Sequence, residues 1–139
     1  MLDLDLTVPR HKFQDPEITL SGKNRARIAL NNPTTLWFNT GTICNISCAN
    51  CYIKSSPTND TLVHITAKEV LSFLCQLKYR KWPVYEIGFT GGEPFINPEI
   101  LKMVEYCLKA NYEVLILTNA MQPMMRESVK MKLIQLNSL

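Results

Sequence analysis

Cys44, Cys48 and Cys51 lie within eight positions of the chain, in the spacing C-x-x-x-C-x-x-C. We call residues 44–51 the cysteine loop. Three thiolates on one short loop can bind a single inorganic centre, and an iron–sulfur cubane normally takes a cysteine on each of its irons. Three cysteines would leave one iron open to an outside ligand, which a catalytic centre needs and a structural one lacks. The spacing therefore predicts a metal centre with one open coordination position.

A structural zinc site is the alternative that the same cysteines allow. His64 would be its fourth ligand, although twelve residues separate His64 from Cys51 and the histidine lies in an apolar segment. A zinc site with four protein ligands would only brace a loop. The protein would then be a non-catalytic metal-binding module, of the zinc or the iron–sulfur kind.

The run Gly91-Gly92-Glu93-Pro94 is the second candidate for chemistry. Glycines let the backbone approach a ligand closely, and a carboxylate pairs with an ammonium group. No Lys-Ser or Lys-Thr pair follows the glycines, so the run is not a phosphate-binding loop. Thr118 and Asn119 are the third candidate pair.

Each candidate group follows a segment with strand character, at 35–40, 84–90 and 112–118. These segments are rich in β-branched, aromatic and aliphatic residues, and the third is apolar enough to be covered on both faces. Helices are predicted between and after them. One begins at a capping box at Thr66 and runs to about residue 79. The next has Asn97 as its cap, Pro98 at its first position and Asn111 as a left-handed stop.

The apolar side of that second helix is predicted to contain Leu101, Val104, Tyr106 and Leu108. A single closing helix is predicted from a stripe of apolar residues, Met121, Met125, Val129, Leu133 and Leu136. The order β-α-β-α-β-α predicts an α/β fold with a parallel sheet and right-handed crossovers. Ligands bind such sheets at the carboxyl ends of the strands, which is where all three candidate groups lie.

Length and composition exclude several classes of protein. The chain has 139 residues, 46% of them hydrophobic and 19% charged, and a formal net charge of +3. This is the composition of one globular domain, and the scattered basic residues argue against nucleic-acid or membrane-surface partners. The acidic start and the lack of a long apolar run argue against a signal peptide or a membrane span. We therefore expect a cytoplasmic protein.

Two parts of the chain carry no candidate chemistry. Residues 1–33 are predicted to be an N-terminal extension to a domain at 34–139, with a strand over 24–30 because apolar and basic residues alternate there. Cys75 and Cys107 each lie in a helical pattern, and free cysteine is most often buried, so both are predicted to be core residues.

The cysteine loop after a first strand, followed by Gly-Gly-Glu-Pro at the end of a second, resembles the radical S-adenosylmethionine (radical SAM) superfamily. The resemblance extends over about residues 36–119, and the Cys51-Tyr52 ending is similar to the branch that modifies peptides or builds cofactors. It implies the N-terminal part of a core domain that is a (β/α) barrel of six units, of which this chain has about three.

The resemblance also implies cofactors and their ligands. Cys44, Cys48 and Cys51 would hold a [4Fe–4S] cluster, whose fourth iron is chelated by S-adenosylmethionine. The segment of Gly91, Gly92 and Glu93 would bind the methionine amino group, and Pro94 would hold the turn. The adenine would contact backbone near Tyr52, and the nucleoside or the substrate would contact the pair of Thr118 and Asn119.

The reaction implied is one-electron cleavage of S-adenosylmethionine to a 5′-deoxyadenosyl radical, with an electron donor such as flavodoxin or ferredoxin. No catalytic side chain is assigned. Asn50 stands where family members often have an aromatic residue. With three barrel units, the chain is expected to be a fragment, a truncated protein, or one half of a split enzyme that a second polypeptide completes. We expect such a chain to bind a cluster and to turn over poorly.

Overall fold

Three parallel strands form one sheet in the computed structural model, which describes residues 15–137. The strands are β1 (Thr35–Asn39), β2 (Glu86–Thr90) and β3 (Glu113–Ile116), in the spatial order β1-β2-β3. Trp37 is in register with Gly88, which is in register with Leu115. The predicted α/β class and parallel pairing are therefore confirmed.

The helices follow the predicted order with different bounds. They are α1 (Ala67–Arg80), a short 3-10 helix (Pro94–Ile96), α2 (Ile100–Lys109), α3 (Gln122–Met125) and α4 (Glu127–Leu136). Among residues 15–137, no helix has both the length and the apolar character that crossing a bilayer requires.

Helix α1 begins as predicted, at the capping box of Thr66. The Glu69 N–H donates to Thr66 Oγ1 at 3.2 Å, and the Thr66 N–H donates to Glu69 Oε2 at 2.8 Å. The Thr66 hydroxyl also donates to Glu69 Oε2 at 2.7 Å, and this bond, followed by the one from the Thr66 N–H, lowers the pKa of Glu69. The local pattern was sufficient here because both partners lie within one helical turn.

Thr66→Ala is expected to lower the free energy of unfolding by about 1 kcal/mol, because a helix N-terminal N–H loses its acceptor. Chemical denaturation of the purified chain would measure the change. Thr66→Ser is the control, since it keeps the hydroxyl and should retain most of the stability. Equal stability of the alanine and serine variants would contradict a capping role.

The two cysteines outside the cysteine loop have different environments. Cys107 is fully buried in α2, as predicted, and burial raises its pKa to about 12. Cys75 is exposed, so its prediction as a core residue was wrong. The buried stripe of α1 is formed by Ala67, Val70, Leu74 and Leu77. Position 75 is next to this stripe and not part of it.

Helix α2 begins later than predicted, and Asn97 is not its cap. Asn97 is buried, and its Nδ2 donates to Thr40 O at 3.2 Å and to Ile65 O at 2.9 Å. It therefore ties together the segments that follow β1 and precede α1. The apolar side was predicted in part. Val104 is buried as predicted, and Leu101, Tyr106 and Leu108 are partly buried against the core. The other buried positions are Ile100, Met103 and Cys107. The left-handed stop at Asn111 is confirmed by its φ of 61°.

The C-terminal region differs from prediction in two ways. Leu115 and Leu117 are 40% and 52% exposed, so β3 is not covered on both faces. The closing helix is two helices, because Arg126 has an extended ψ of 135°. The Arg126 side chain donates to Phe95 O at 2.7 Å, and this contact with a residue far away in the chain holds the break between α3 and α4. Met121 and Met125 are about half exposed and lie outside the buried stripe.

The core lies between one face of the sheet and the helices. Phe38, Ile87 and Phe89 point to this side, and the rings of Phe38 and Phe89 stack with centroids 5.8 Å apart. The other face carries Trp37, whose indole lies across Gly88 and is 43% exposed. We call this second surface the open face of the sheet.

The chain divides into two compact units, Met1–Asn31 and Asn32–Leu139. Residues 1–14 of the predicted extension lie outside the described residues. The strand predicted over 24–30 was wrong: Asn24 makes one isolated bridge to Ile18, and Ile28 is 95% exposed. Alternation alone does not make a strand when the backbone groups have no neighbouring strand to pair with.

Candidate functional site

Residues 41–43, which lead into the cysteine loop, contact the Gly-Gly-Glu-Pro run directly, at the carboxyl ends of β1 and β2. The Gly92 N–H donates to Gly41 O at 2.8 Å, and the Glu93 N–H donates to Ile43 O at 3.1 Å. Parallel pairing places both strand ends at one edge of the sheet, as the sequence predicted. The segment before Cys44 is thereby fixed to the end of β2 by backbone hydrogen bonds.

Both glycines are required by this contact. Gly91 has a φ of +134°, a conformation that residues with a Cβ rarely adopt. A Cβ added to Gly92 would lie 2.1 Å from Ile43 O and 2.6 Å from Ile43 C, which are backbone atoms. The close approach of two backbone segments therefore explains the glycine pair in structural terms.

The three cysteines of the loop are all free thiols with different exposure. Cys44 is buried, Cys51 is half-buried and Cys48 is exposed. Within residues 15–137, no group of three Cys, His, Asp or Glu side chains is already gathered to hold a metal ion. The structure thus places the three thiols on one loop at the sheet edge without bringing their sulfur atoms together.

The surroundings of Cys51 fit a metal ligand. The Ser55 N–H donates to Cys51 Sγ at 3.2 Å. This bond, followed by one from the Ile53 N–H, lowers the pKa of the thiol and favours the thiolate that binds metals. The Ser55 hydroxyl is buried and makes no hydrogen bond of ordinary geometry to any residue of the described chain. A buried hydroxyl without an acceptor costs about 1–3 kcal/mol of stability, and a bound group that accepts its hydrogen bond would remove this cost.

The donor set therefore suits an iron–sulfur cluster in chemical type. Three free thiols lie on one loop, and one of them accepts a backbone hydrogen bond. The buried Ser55 hydroxyl is a further donor next to that thiol. The zinc alternative finds no added support, because His64 packs against Gly41: its ring Cδ2 would lie 2.6 Å from a Cβ built on that glycine.

Glu93 is the most deeply buried acidic residue near the loop, with 1% of its surface exposed. Its Oε1 accepts from the Phe95 N–H at 3.0 Å and from Thr118 Oγ1 at 2.8 Å. Its Oε2 accepts from the Asn119 N–H at 2.9 Å. The carboxylate thus joins the ends of β2 and β3, and its acceptor sites are directed at protein donors.

Thr118 and Asn119 are drawn into the site by Glu93. The Asn119 side-chain Nδ2 then donates to Asn45 Oδ1 at 3.0 Å and lies 3.7 Å from Cys44 Sγ. Hydrogen bonds therefore run from the end of β2 through the end of β3 to the cysteine loop. Pro94 is buried at the first position of the 3-10 helix, where a backbone N–H would have no partner within the helix, so the absence of this N–H in proline costs nothing.

Tyr52, the remaining predicted site residue, has 74% of its surface exposed. Two residues that sequence reasoning missed are Ser55, beside Cys51, and Asn97, which holds the Thr40 carbonyl. Both are polar residues in turn-rich segments. Only their burial distinguishes them, and no local pattern predicted it.

Comparisons with known proteins agree with this arrangement. The family model of the Radical SAM superfamily matches residues 38–137. AlbA, the antilisterial bacteriocin subtilosin biosynthesis protein of Bacillus subtilis, is 31% identical over 107 residues, which are 73% of this chain and 21% of AlbA. YydG of the same organism is 28% identical over 106 residues, which are 76% of this chain and 32% of YydG.

Among solved structures, SuiB of Streptococcus suis bound to S-adenosylmethionine superposes with a TM-score of 0.60 at 24% identity, covering 73% of this chain and 22% of SuiB. SuiB bound to its precursor peptide SuiA gives a TM-score of 0.59. These likenesses confirm the partial (β/α) barrel. The chain spans between 21% and 32% of the length of the curated relatives it matches.

Proposed function

Because the chain belongs to the radical SAM superfamily, we propose that Cys44, Cys48 and Cys51 hold a [4Fe–4S] cluster and that S-adenosylmethionine binds beside it. When bound, this pair of cofactors supplies one-electron cleavage of the sulfonium and hydrogen abstraction from a substrate. The electron comes from a reduced donor of the flavodoxin or ferredoxin type. A reducing compartment, the cytoplasm, suits free thiols and such a centre.

The observation that carries the proposal is the direct contact of residues 41–43, which lead into the cysteine loop, with the Gly-Gly-Glu-Pro run. The bond from the Glu93 N–H to Ile43 O holds the segment before Cys44 at the end of β2, next to the half-buried Gly91 and Gly92. A cofactor bound at the sulfur atoms would therefore meet the glycine run at the same sheet edge. The backbone near Gly91 and Gly92 is suited to an ammonium group, and Tyr52 is exposed enough to meet an adenine.

The proposed substrate class is a peptide. AlbA is named for the biosynthesis of a bacteriocin, and SuiB has been solved with a precursor peptide bound. The cysteine motif ends in Cys51-Tyr52, and this ending also resembles the branch of the family that modifies peptides. Since the chain spans a minor part of these relatives, complete turnover is proposed to need further structure, supplied by a second polypeptide or by more of the same one.

Anaerobic reconstitution with iron and sulfide tests the proposal. The wild-type chain should turn brown and bind iron, and adding S-adenosylmethionine should change the electron paramagnetic resonance spectrum of the reduced cluster. Each of Cys44→Ala, Cys48→Ala and Cys51→Ala should lose most of the iron, whereas Cys75→Ala, at the exposed cysteine of α1, should keep it. The same sample, assayed alone, should release little 5′-deoxyadenosine.

The non-catalytic metal module remains the second candidate, because the same three free thiols could hold a metal that only braces the loop. It predicts a colourless protein that keeps zinc in preference to iron and does not respond to S-adenosylmethionine. That result would refute the radical SAM proposal for this chain.

A further inference from the structure

Asn119 presents its amide N–H to the sulfur of Cys44. Its Oδ1 accepts from the Met121 N–H at 3.0 Å, which fixes the orientation of the amide, because only oxygen can accept there. Nδ2 is therefore the atom that faces Cys44 Sγ, at 3.7 Å. The main chain of Asn119 is held in turn by the buried carboxylate of Glu93. Its orientation toward the sulfur is thus supported from two sides.

Ser55 has the same relation to the sulfur of Cys51. Its N–H donates to Cys51 Sγ at 3.2 Å, and only 6% of the residue is exposed. Its hydroxyl is buried and makes no hydrogen bond of ordinary geometry within residues 15–137, although it interacts with Cys51. A buried donor beside a ligand sulfur is satisfied when a sulfur acceptor, from the ligand or from the cluster, comes within reach.

Donors of this kind have a definite effect on a redox centre. Reduction adds negative charge to a cluster and its ligand sulfurs, and an N–H or O–H that points at a sulfur stabilises this charge more in the reduced state. The potential therefore rises when such donors are present. The two sulfurs with donors are the less exposed ones, whereas Cys48 is exposed to water.

We propose that Asn119 and Ser55 are positioning residues, which hydrogen-bond the sulfur atoms of Cys44 and Cys51 and thereby raise the reduction potential of the cluster. This inference rests on the proposed function. It assigns the two residues no contact with the substrate.

Midpoint potentials of reconstituted variants, measured anaerobically by spectroelectrochemistry, test the proposal. Ser55→Ala removes the hydroxyl and keeps the backbone donor, and Ser56→Ala is its control at the neighbouring serine. Asn119→Asp keeps the acceptor for the Met121 N–H and replaces the donor with an oxygen. Asn45→Asp is its control, because it adds the same charge next to Cys44 and removes only the donor that faces Met121 Sδ, not one that faces a cysteine sulfur.

We expect Ser55→Ala to have a more negative potential than the wild type and than Ser56→Ala. We expect the midpoint potential of Asn119→Asp to be more negative than that of Asn45→Asp. If the wild-type chain binds iron and the potentials of both variants equal those of their controls, this inference is wrong and the proposed function stands. If the wild-type chain assembles no cluster, the proposed function fails and this inference fails with it. Ser55→Ala decides the matter alone should Asn119→Asp not fold, since it removes one oxygen atom.

Discussion

Replacing Gly92 by alanine is expected to destabilise the chain by about 3 kcal/mol and to abolish most iron binding. The new methyl group would lie 2.1 Å from Ile43 O, and a backbone atom cannot rotate away as the end of a side chain can. The segment before Cys44 would have to leave the end of β2, which breaks the bond from the Glu93 N–H to Ile43 O. Chemical denaturation and the iron content after reconstitution measure the two effects.

Gly88→Ala is the matched control, because Gly88 lies in β2, the strand that Gly92 follows. Its methyl group would meet the Trp37 ring at 2.3 Å, but the indole is partly exposed and can move toward solvent. We therefore expect a smaller loss of stability and near-normal iron binding. If Gly92→Ala binds as much iron as Gly88→Ala, the close contact of the two segments is not what positions the cysteines.

Glu93→Ala is expected to cost about 3 kcal/mol of unfolding free energy, because it leaves several buried donors without their acceptor. These donors are the Phe95 N–H, the Thr118 hydroxyl and the Asn119 N–H. Binding of S-adenosylmethionine should also weaken, by about 1–3 kcal/mol, through the loss of a charge-assisted pair or of the ordered β3 end. Denaturation curves measure the first effect, and titration calorimetry on the reconstituted protein measures the second.

Glu113→Ala is the control for Glu93→Ala, since Glu113 is an exposed acid on β3 of the same sheet. Its unfolding free energy should stay within about 0.5 kcal/mol of the wild type. If Glu93→Ala is as stable as this control, the Glu93 carboxylate does not hold the ends of β2 and β3 together. Unchanged binding of S-adenosylmethionine by a folded Glu93→Ala would favour the non-catalytic module.

Features that depend on neighbours in sequence were predictable. The two partners of the capping box, Thr66 and Glu69, lie three positions apart, and the left-handed Asn111 follows the end of its own helix. The convergence of the loop and the glycine run was also predictable, because parallel strands put their carboxyl ends at one edge. The position of the site could therefore be predicted, whereas the contacts inside it could not.

The contacts that were missed join residues far apart in the chain. Glu99 is the residue at the N-cap position of α2, yet its Oε2 accepts from the Ala67 N–H at 2.6 Å, at the start of α1. The break at Arg126 likewise depends on the carbonyl of Phe95, thirty-one positions away. Periodicity carries no information on such partners, and it placed Cys75 in the core because it could not distinguish neighbouring positions on one helical turn.

The position of Trp37 on the open face has an optical consequence. The chain has two tryptophans, and Trp82 lies in a different environment, beside Lys78 and Lys81 in a groove at the ends of α1 and α2. In a Trp82→Phe background, fluorescence would come from the indole that lies across Gly88. Indole emission shifts to shorter wavelength when water is displaced, and it is quenched by a nearby iron–sulfur chromophore that absorbs the emitted light. The chain therefore contains an intrinsic fluorophore that can follow both the covering of the open face and the loading of the cysteine loop.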